Sequence, residues 1–128
     1  MKDLHSSLSL IAALIPAVQA ATATSAALDL QGFNSAEVLI QTGAIVGAGD
    51  FTVKLQHSDT TTSGDFVDTA AVDRLGSFPA SLATDSLYRV GYKGGKRYVR
   101  TVTTKNGGTS IIAGISLLRG HPTDAPIA

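Results

Sequence analysis

The chain contains no cysteine and no tryptophan, and only seven of its 128 residues are aromatic. Without cysteine, the fold and function cannot depend on a disulfide, a thiolate metal site or a cysteine nucleophile. No apolar run reaches the roughly 18 residues that a membrane-spanning helix needs, so we expect no membrane partner. Charged residues make up 16 % of the chain and sum formally to zero. The abundance of Gly, Ser, Thr and small aliphatic residues is typical of turn-rich all-β proteins.

Motifs that mark enzymes and metal centres are also missing. His5, His57 and His121 lie far apart and lack any short metal-ligand spacing. There is no Gly-x-Ser-x-Gly elbow. The glycine-rich stretches at 43–49 and 91–96 have neither a phosphate-loop nor a dinucleotide frame, and chain reversal explains their glycines. We therefore expect no enzymatic activity, no metal and no cofactor.

The few charges are divided unevenly along the chain. Residues 1–86 hold three basic and nine acidic residues, a net of −6, whereas residues 87–128 hold seven basic and one acidic, a net of +6. This split indicates either a nucleic-acid surface or subunits that dock acidic part to basic part. Because dedicated nucleic-acid binders usually carry a net positive charge, protein docking fits better and no direct nucleic-acid contact is expected. The basic docking candidates are Arg89, Lys93, Lys96, Arg97 and Arg100. A solvated strand face is the alternative interpretation of the same charges.

Alternation of apolar and polar residues with period two is the clearest structural signal. It is cleanest at 51–57, where His57 continues the apolar side to the strand end, and it recurs at 36–42 and 87–93. The residues predicted to face the core from these segments are Val38, Ile40, Phe51, Val53, Leu55, Tyr88, Val90 and Tyr92. Each segment is therefore predicted to be a half-buried β-strand.

Glycine pairs predict how the C-terminal strands connect. Lys93-Gly-Gly-Lys96 has the composition of a hairpin turn and leads into a predicted strand at 96–104, and Asn106-Gly-Gly108 opens a last strand at 111–118. We therefore predict that the three consecutive strands form a meander. Seven or eight short strands in all indicate a single-domain antiparallel β-sandwich or a small jelly-roll-like barrel.

Both ends of the chain are predicted to extend from the sandwich core at 25–119. Residues 8–20 imitate a secretory signal, but Asp3 weakens its charged region, and a first strand or an extended arm over 1–24 is the preferred interpretation. Two prolines predict a second extended arm at 120–128. Apolar terminal segments can reach neighbouring subunits. The terminal docking candidates are Leu8, Leu10, Ile11, Leu14 and Ile15.

Four segments in this order, Asp29–Glu37, Phe51–Asp59, Tyr88–Arg100 and Gly120–Pro122, carry a family resemblance. Together they resemble small proteins encoded in the head-gene region of tailed bacteriophages, prophages and gene-transfer-agent-like elements. The likeness spans most of the chain and consists of sheet and turn residues, with no catalytic motif.

This resemblance implies a virion structural protein, and most specifically a capsid decoration or cement protein. Such a protein would be made in the host bacterial cytoplasm and would sit on the capsid exterior, where it bridges and stabilises subunits of the major capsid protein. Self-association is expected as well, and a trimer around a three-fold axis would satisfy its docking patches. Two alternatives stay open: a head–tail connector or tail structural protein, and a secreted or periplasmic β-sandwich binding module.

Overall fold

Two antiparallel sheets face each other in the computed structural model, which describes residues 5–122. The strands of this range are β1 (Ser9–Gln19), β2 (Ala23–Thr24), β3 (Leu28–Asp29), β4 (Phe33–Val46), β5 (Asp50–Ser58), β6 (Val67–Asp68), β7 (Arg74–Leu75), β8 (Leu87–Tyr92), β9 (Tyr98–Gly107) and β10 (Ser110–Pro122). The first sheet has the order β1-β10-β4-β8-β7, and the second has the order β2-β9-β5-β6, with β3 also paired to β9. The predicted all-β sandwich is confirmed.

The core lies between the sheets and consists of the alternating residues that the sequence pattern indicates. Val38, Ile40, Phe51 and Val90 are completely buried, and Tyr88 packs against them from a half-buried position. The first sheet adds a further row of buried side chains from β10, namely Ile111, Ala113, Ile115 and Leu117. Each large apolar side chain that is fully buried contributes about 1.5–3 kcal/mol relative to an exposed one. The predicted core-facing residues are thus confirmed.

The predicted meander is wrong, although each of its three strands exists. Strand β8 pairs with β4 and β7 in the first sheet, β9 pairs with β5 in the second, and β10 returns to the first sheet between β1 and β4. The glycine turns at 93–96 and 106–108 therefore carry the chain across the sandwich. Turn residues predict that a chain reverses. They do not determine whether the flanking strands hydrogen-bond to each other or pack face to face, which depends on the sheet that buries each apolar side.

The terminal segments form a strand pair along one side of the first sheet. β1 runs antiparallel to β10 from Ser9 opposite Arg119 to Gln19 opposite Ile111. β10 extends beyond the predicted end at residue 118, because Gly120 and Pro122 still pair with β4. The predicted C-terminal arm thus begins as strand. The remaining parts of the two predicted arms, residues 1–4 and 123–128, lie outside the described residues.

Candidate docking surface

Basic residues from the second half of the chain meet acidic residues from the first half within the same molecule. The guanidinium of Arg97 forms a bidentate pair with Asp29, with Nε–Oδ1 and Nη2–Oδ2 distances of 3.0 Å each. This hydrogen bonding lowers the pKa of the Asp29 carboxyl below its ordinary value and raises the pKa of Arg97. Lys96 Nζ lies 2.9 Å from Asp59 Oδ2. Lys96 and Arg97 are therefore paired inside the subunit, in the connection between β8 and β9.

Arg100 is held by the second sheet. Its Nε donates to Gln56 Oε1 at 2.7 Å, its Nη1 donates to Ser63 Oγ at 2.9 Å, and its guanidinium lies 4.4 Å from the centre of the Phe66 ring. A stacked and hydrogen-bonded arginine has little freedom to reorient toward a partner. Arg100 thus serves the internal packing of the 58–66 loop, whatever else it contacts.

The five basic candidates do not form one patch. Arg89 lies on the outer side of the first sheet, where its side chain is 80 % exposed and its Nη1 is 3.8 Å from Glu37 Oε1. Lys93 is exposed in the connection that leaves that sheet. Arg89 therefore belongs to a different surface from Lys96, Arg97 and Arg100.

The outer faces of the two sheets differ sharply in chemistry. On the second sheet, the side chains that alternate with the buried ones are mostly polar or charged: Thr52, Lys54, Gln56, Arg100 and Thr104. On the first sheet, the corresponding side chains are mostly aliphatic. We call the following residues the apolar face: Leu10, Val18, Leu39, Leu75, Leu87, Ile112 and Leu118. Leu87 is 71 % exposed and Leu10 is 67 % exposed, so this face has no cover from the rest of the described chain.

Strand register brings the apolar face together. Leu118 lies opposite Leu10 on one side and Glu37 on the other, and Leu39 lies opposite Arg89. Glu37 and Arg89 are the charged side chains that the described strands of the first sheet present on this surface, and they adjoin each other. The face is therefore neutral as well as apolar.

Small residues between the large ones give the apolar face two grooves. One groove of about 550 Å³ has Gly91 at its base and Leu75 and Leu118 on its walls. A second groove of about 360 Å³ is bordered by Leu39, Leu87 and Pro16, whose ring lies against Gly114. Leucine side chains of a partner could enter such depressions, which flat polar strand faces lack.

The terminal candidates divide between the core and the surface. Ile11 and Leu14 pack against the core of their own subunit. Leu10 belongs to the apolar face, Leu8 lines its first groove, and Ile15 is exposed on the edge strand. Ile11 and Leu14 are thus used internally, while the other three remain accessible.

Sequence reasoning missed six of the seven residues of the apolar face: Val18, Leu39, Leu75, Leu87, Ile112 and Leu118. A usable signal is present in 111–118, where apolar residues occupy consecutive positions instead of alternating. Such a run indicates a strand that is covered on both faces. In this structure β10 has a covered inner face and an open outer one, so the apolar run extends onto a surface that the described chain leaves exposed.

His57 lies at the end of β5, as predicted, and is used internally. Its Nδ1 lies 2.9 Å from the Tyr92 hydroxyl, which joins the two sheets, and burial raises the pKa of Tyr92 above 10.0.

Within residues 5–122 no three His, Cys, Asp or Glu side chains gather as metal ligands. The same range contains no helix with the length and apolarity to cross a membrane.

Solved structures with this fold include two proteins of viral origin. The SPBc2 prophage-derived protein YomS superposes with a TM-score of 0.52 at 11 % identity, over 88 % of this chain and 93 % of its own. The VP2 subviral particle of infectious bursal disease virus gives a TM-score of 0.53 at 16 % identity, over 93 % of this chain and 33 % of the VP2 chain. No family model and no curated protein sequence matches the chain. At these identities the likeness shows a shared fold.

Proposed function

We propose that this protein is a structural component of a virion, and more specifically a capsid decoration or cement protein on the shell exterior. The observation that carries the proposal is the contrast between the two sheet faces. One is polar and suited to solvent, while the other is apolar, grooved and uncovered. Monomeric proteins rarely leave a contiguous apolar patch of more than a few hundred Å² exposed. A protein built this way functions in an assembly.

We infer that this assembly is a virion from the family resemblance of the sequence and from the shared fold. The sequence resembles head-region proteins of tailed phages, and the fold occurs in a prophage-derived protein and in a viral subviral particle. No catalytic constellation was recognised in the sequence, which is consistent with a role in binding. We infer that the chain bridges neighbouring major capsid subunits.

The stabilising effect of such a protein follows from linkage. A ligand that binds the assembled shell and not its dissociated subunits stabilises the shell by about 2.7 kcal/mol per site when its free concentration is 100 times Kd. The apolar face is built on hydrogen-bonded strands of the first sheet, so its backbone is ordered in the unbound subunit. Little ordering entropy is then lost on docking, which favours tight binding.

Cryo-electron microscopy of particles purified from the native phage or prophage host tests this proposal. We expect regular density of this fold on the capsid exterior, in contact with two or more major capsid subunits. Particles that lack the protein should release DNA at a lower temperature, and the purified protein should restore the original temperature. Absence from the shell, or density at the portal or tail alone, would overturn the cement proposal and favour the connector or tail alternative.

A further inference from the structure

We propose that the apolar face is covered by a second copy of this chain, in a two-fold dimer that packs first sheet against first sheet. The proposed function rests on the same face. In a virion, the functional unit would then be this dimer. The face itself supplies three arguments: the route of approach, the area, and the complementarity of charge and shape.

The β1 edge of the first sheet is a poor site for the addition of another strand. β1 is the long edge strand of the first sheet, and its register shifts between Ala12 and Leu14 and again between Leu14 and Ala17. Pro16, which lacks a backbone N–H, lies within the second shift. Bulges and proline are the features by which edge strands avoid adding another strand. The long β1 edge therefore disfavours strand addition by a second copy, whereas the apolar face is open to it.

The face has the area that a stable dimer requires. Four long strands about 4.8 Å apart, with about eight residues each at about 3.3 Å, give a flat area of about 500 Å² per copy. Two copies would bury at least about 1,000 Å², since side chains make the accessible area larger than the flat one. That value reaches the lower limit for specific protein interfaces.

Charge on the face favours a second copy over a partner of a single sign. Glu37 and Arg89 lie side by side with 3.8 Å between Oε1 and Nη1. Consider a two-fold axis that lies in the plane of the interface and passes between the two side chains. It places Arg89 of each copy against Glu37 of the other copy, so that two ion pairs form across the interface. A uniformly acidic or basic partner would leave one of the two charges buried beside a like charge.

The shape of the face is also self-complementary. Leu87 projects from the face, and the groove bordered by Leu39 and Pro16 lies on the same face. Two sheets that pack face to face keep about 10 Å between them and interdigitate their side chains. Each copy can thus supply the leucine that fills a groove of the other. The dimer would leave two polar sheets outward, and its two identical outer surfaces could each hold one capsid subunit.

Sedimentation velocity on the purified full-length protein, from about 1 to 200 µM, tests the dimer directly. We expect a monomer–dimer equilibrium for the wild type. Leu87→Glu should raise the dimer Kd by at least about 30-fold, as expected for a buried interface anchor. Val67→Glu is the matched control, because Val67 is 56 % exposed but lies in the second sheet, and its Kd should change by less than about threefold. Thermal unfolding of both variants checks that the fold is retained.

A charge exchange tests the two-fold geometry. Glu37→Arg and Arg89→Glu should each weaken the dimer about tenfold or more, and the combined exchange should restore it. The Arg89 side chain is 80 % exposed and lies 3.8 Å from Glu37, so the pair within one copy contributes little and the single variants should unfold near the wild-type temperature. A monomeric wild type, a trimer, or a dimer that Leu87→Glu leaves intact would overturn the inference. A monomer that still decorates particles would leave the proposed function standing, whereas a dimer absent from particles would overturn the function alone.

Discussion

Removal of the buried Tyr92 hydroxyl should weaken the contact between the two sheets and lower the stability of the fold. The Tyr92 hydroxyl lies 2.9 Å from His57 Nδ1 in the opposite sheet and accepts the Lys96 backbone N–H at 3.2 Å. The two rings also meet edge to face, with centroids 5.7 Å apart. Tyr92→Phe keeps the ring and its packing, so the variant isolates the hydrogen bonds that join the sheets.

The expected loss is about 2 kcal/mol in the free energy of unfolding. Each neutral hydrogen bond contributes about 1 kcal/mol net, and a buried group left without a partner costs about 1–3 kcal/mol. His57 is buried and has no easy access to water, whereas the exposed Lys96 position can replace its bond with solvent. The His57 ring therefore accounts for most of the loss. A loss of 2 kcal/mol corresponds to about 30-fold in the unfolding equilibrium.

Urea unfolding at pH 7, followed by far-UV circular dichroism, measures this loss. Tyr88→Phe is the matched control: Tyr88 lies on the same side of the same strand, and its hydroxyl accepts the Ala83 N–H at 3.0 Å in an exposed setting. We expect that control to lose less than about 1 kcal/mol. A Tyr92→Phe loss below about 0.5 kcal/mol, or one no larger than that of the control, would refute the reasoning.

Alkaline pH provides an independent readout of the same group. Burial raises the pKa of Tyr92 in the folded state above its ordinary 10.0. A raised pKa contributes stability that is present below pH 10 and is lost as the pH rises through the folded-state value. The stability of the wild type should therefore fall more steeply above pH 10 than that of Tyr92→Phe. Parallel curves for the two proteins would contradict this assignment.

Two further substitutions test the sheet edge and the charged loop. A Cβ at Gly114 would lie 2.6 Å from Pro16 Cγ, so Gly114→Ala should destabilise the protein by about 1–3 kcal/mol and speed amide exchange in β1. Gly107→Ala, where no atom lies within 4 Å, is the control, and equal effects would refute the close contact. Asp29→Asn should cost less than about 1 kcal/mol at pH 7, because the pair is exposed. Because the Arg97 hydrogen bond lowers the folded-state pKa of Asp29, the carboxylate contributes stability above the ordinary value of 3.8 and loses it as the pH falls through the lowered value. A difference between the wild type and Asp29→Asn that does not shrink as the pH falls below 3.8 would contradict this.

The charge split shows how one sequence feature can have two structural meanings. A net of −6 before residue 87 and +6 after it is compatible with docking between subunits or with pairing inside one. The structure places Arg97 on Asp29 and Lys96 on Asp59, so part of the split is satisfied within the chain. Sequence reasoning could not have separated these cases, because the partners lie 68 and 37 residues apart. Contacts at such separations depend on the topology.

The sequence by itself determined the strands and the side of each strand that would be buried. Phe51, Val53 and Leu55 alternate with polar residues, and burial of one side of a strand follows directly from its period of two. The all-β class follows in the same way from composition and turn residues.

Tertiary structure alone decided which strands pair and which face stays uncovered. The Lys93–Lys96 turn could have closed a hairpin, yet it crosses between the sheets. The reason is that β8 buries its apolar side by pairing with β4 in the first sheet, whereas β9 buries its apolar side by pairing with β5 in the second. The sequence pattern of 111–118 is apolar on both sides, and only the sheet order shows that one side faces the core and the other the outside. The local sequence pattern determines which side of a strand is buried. Which strand or sheet covers that side depends on the fold of the whole chain.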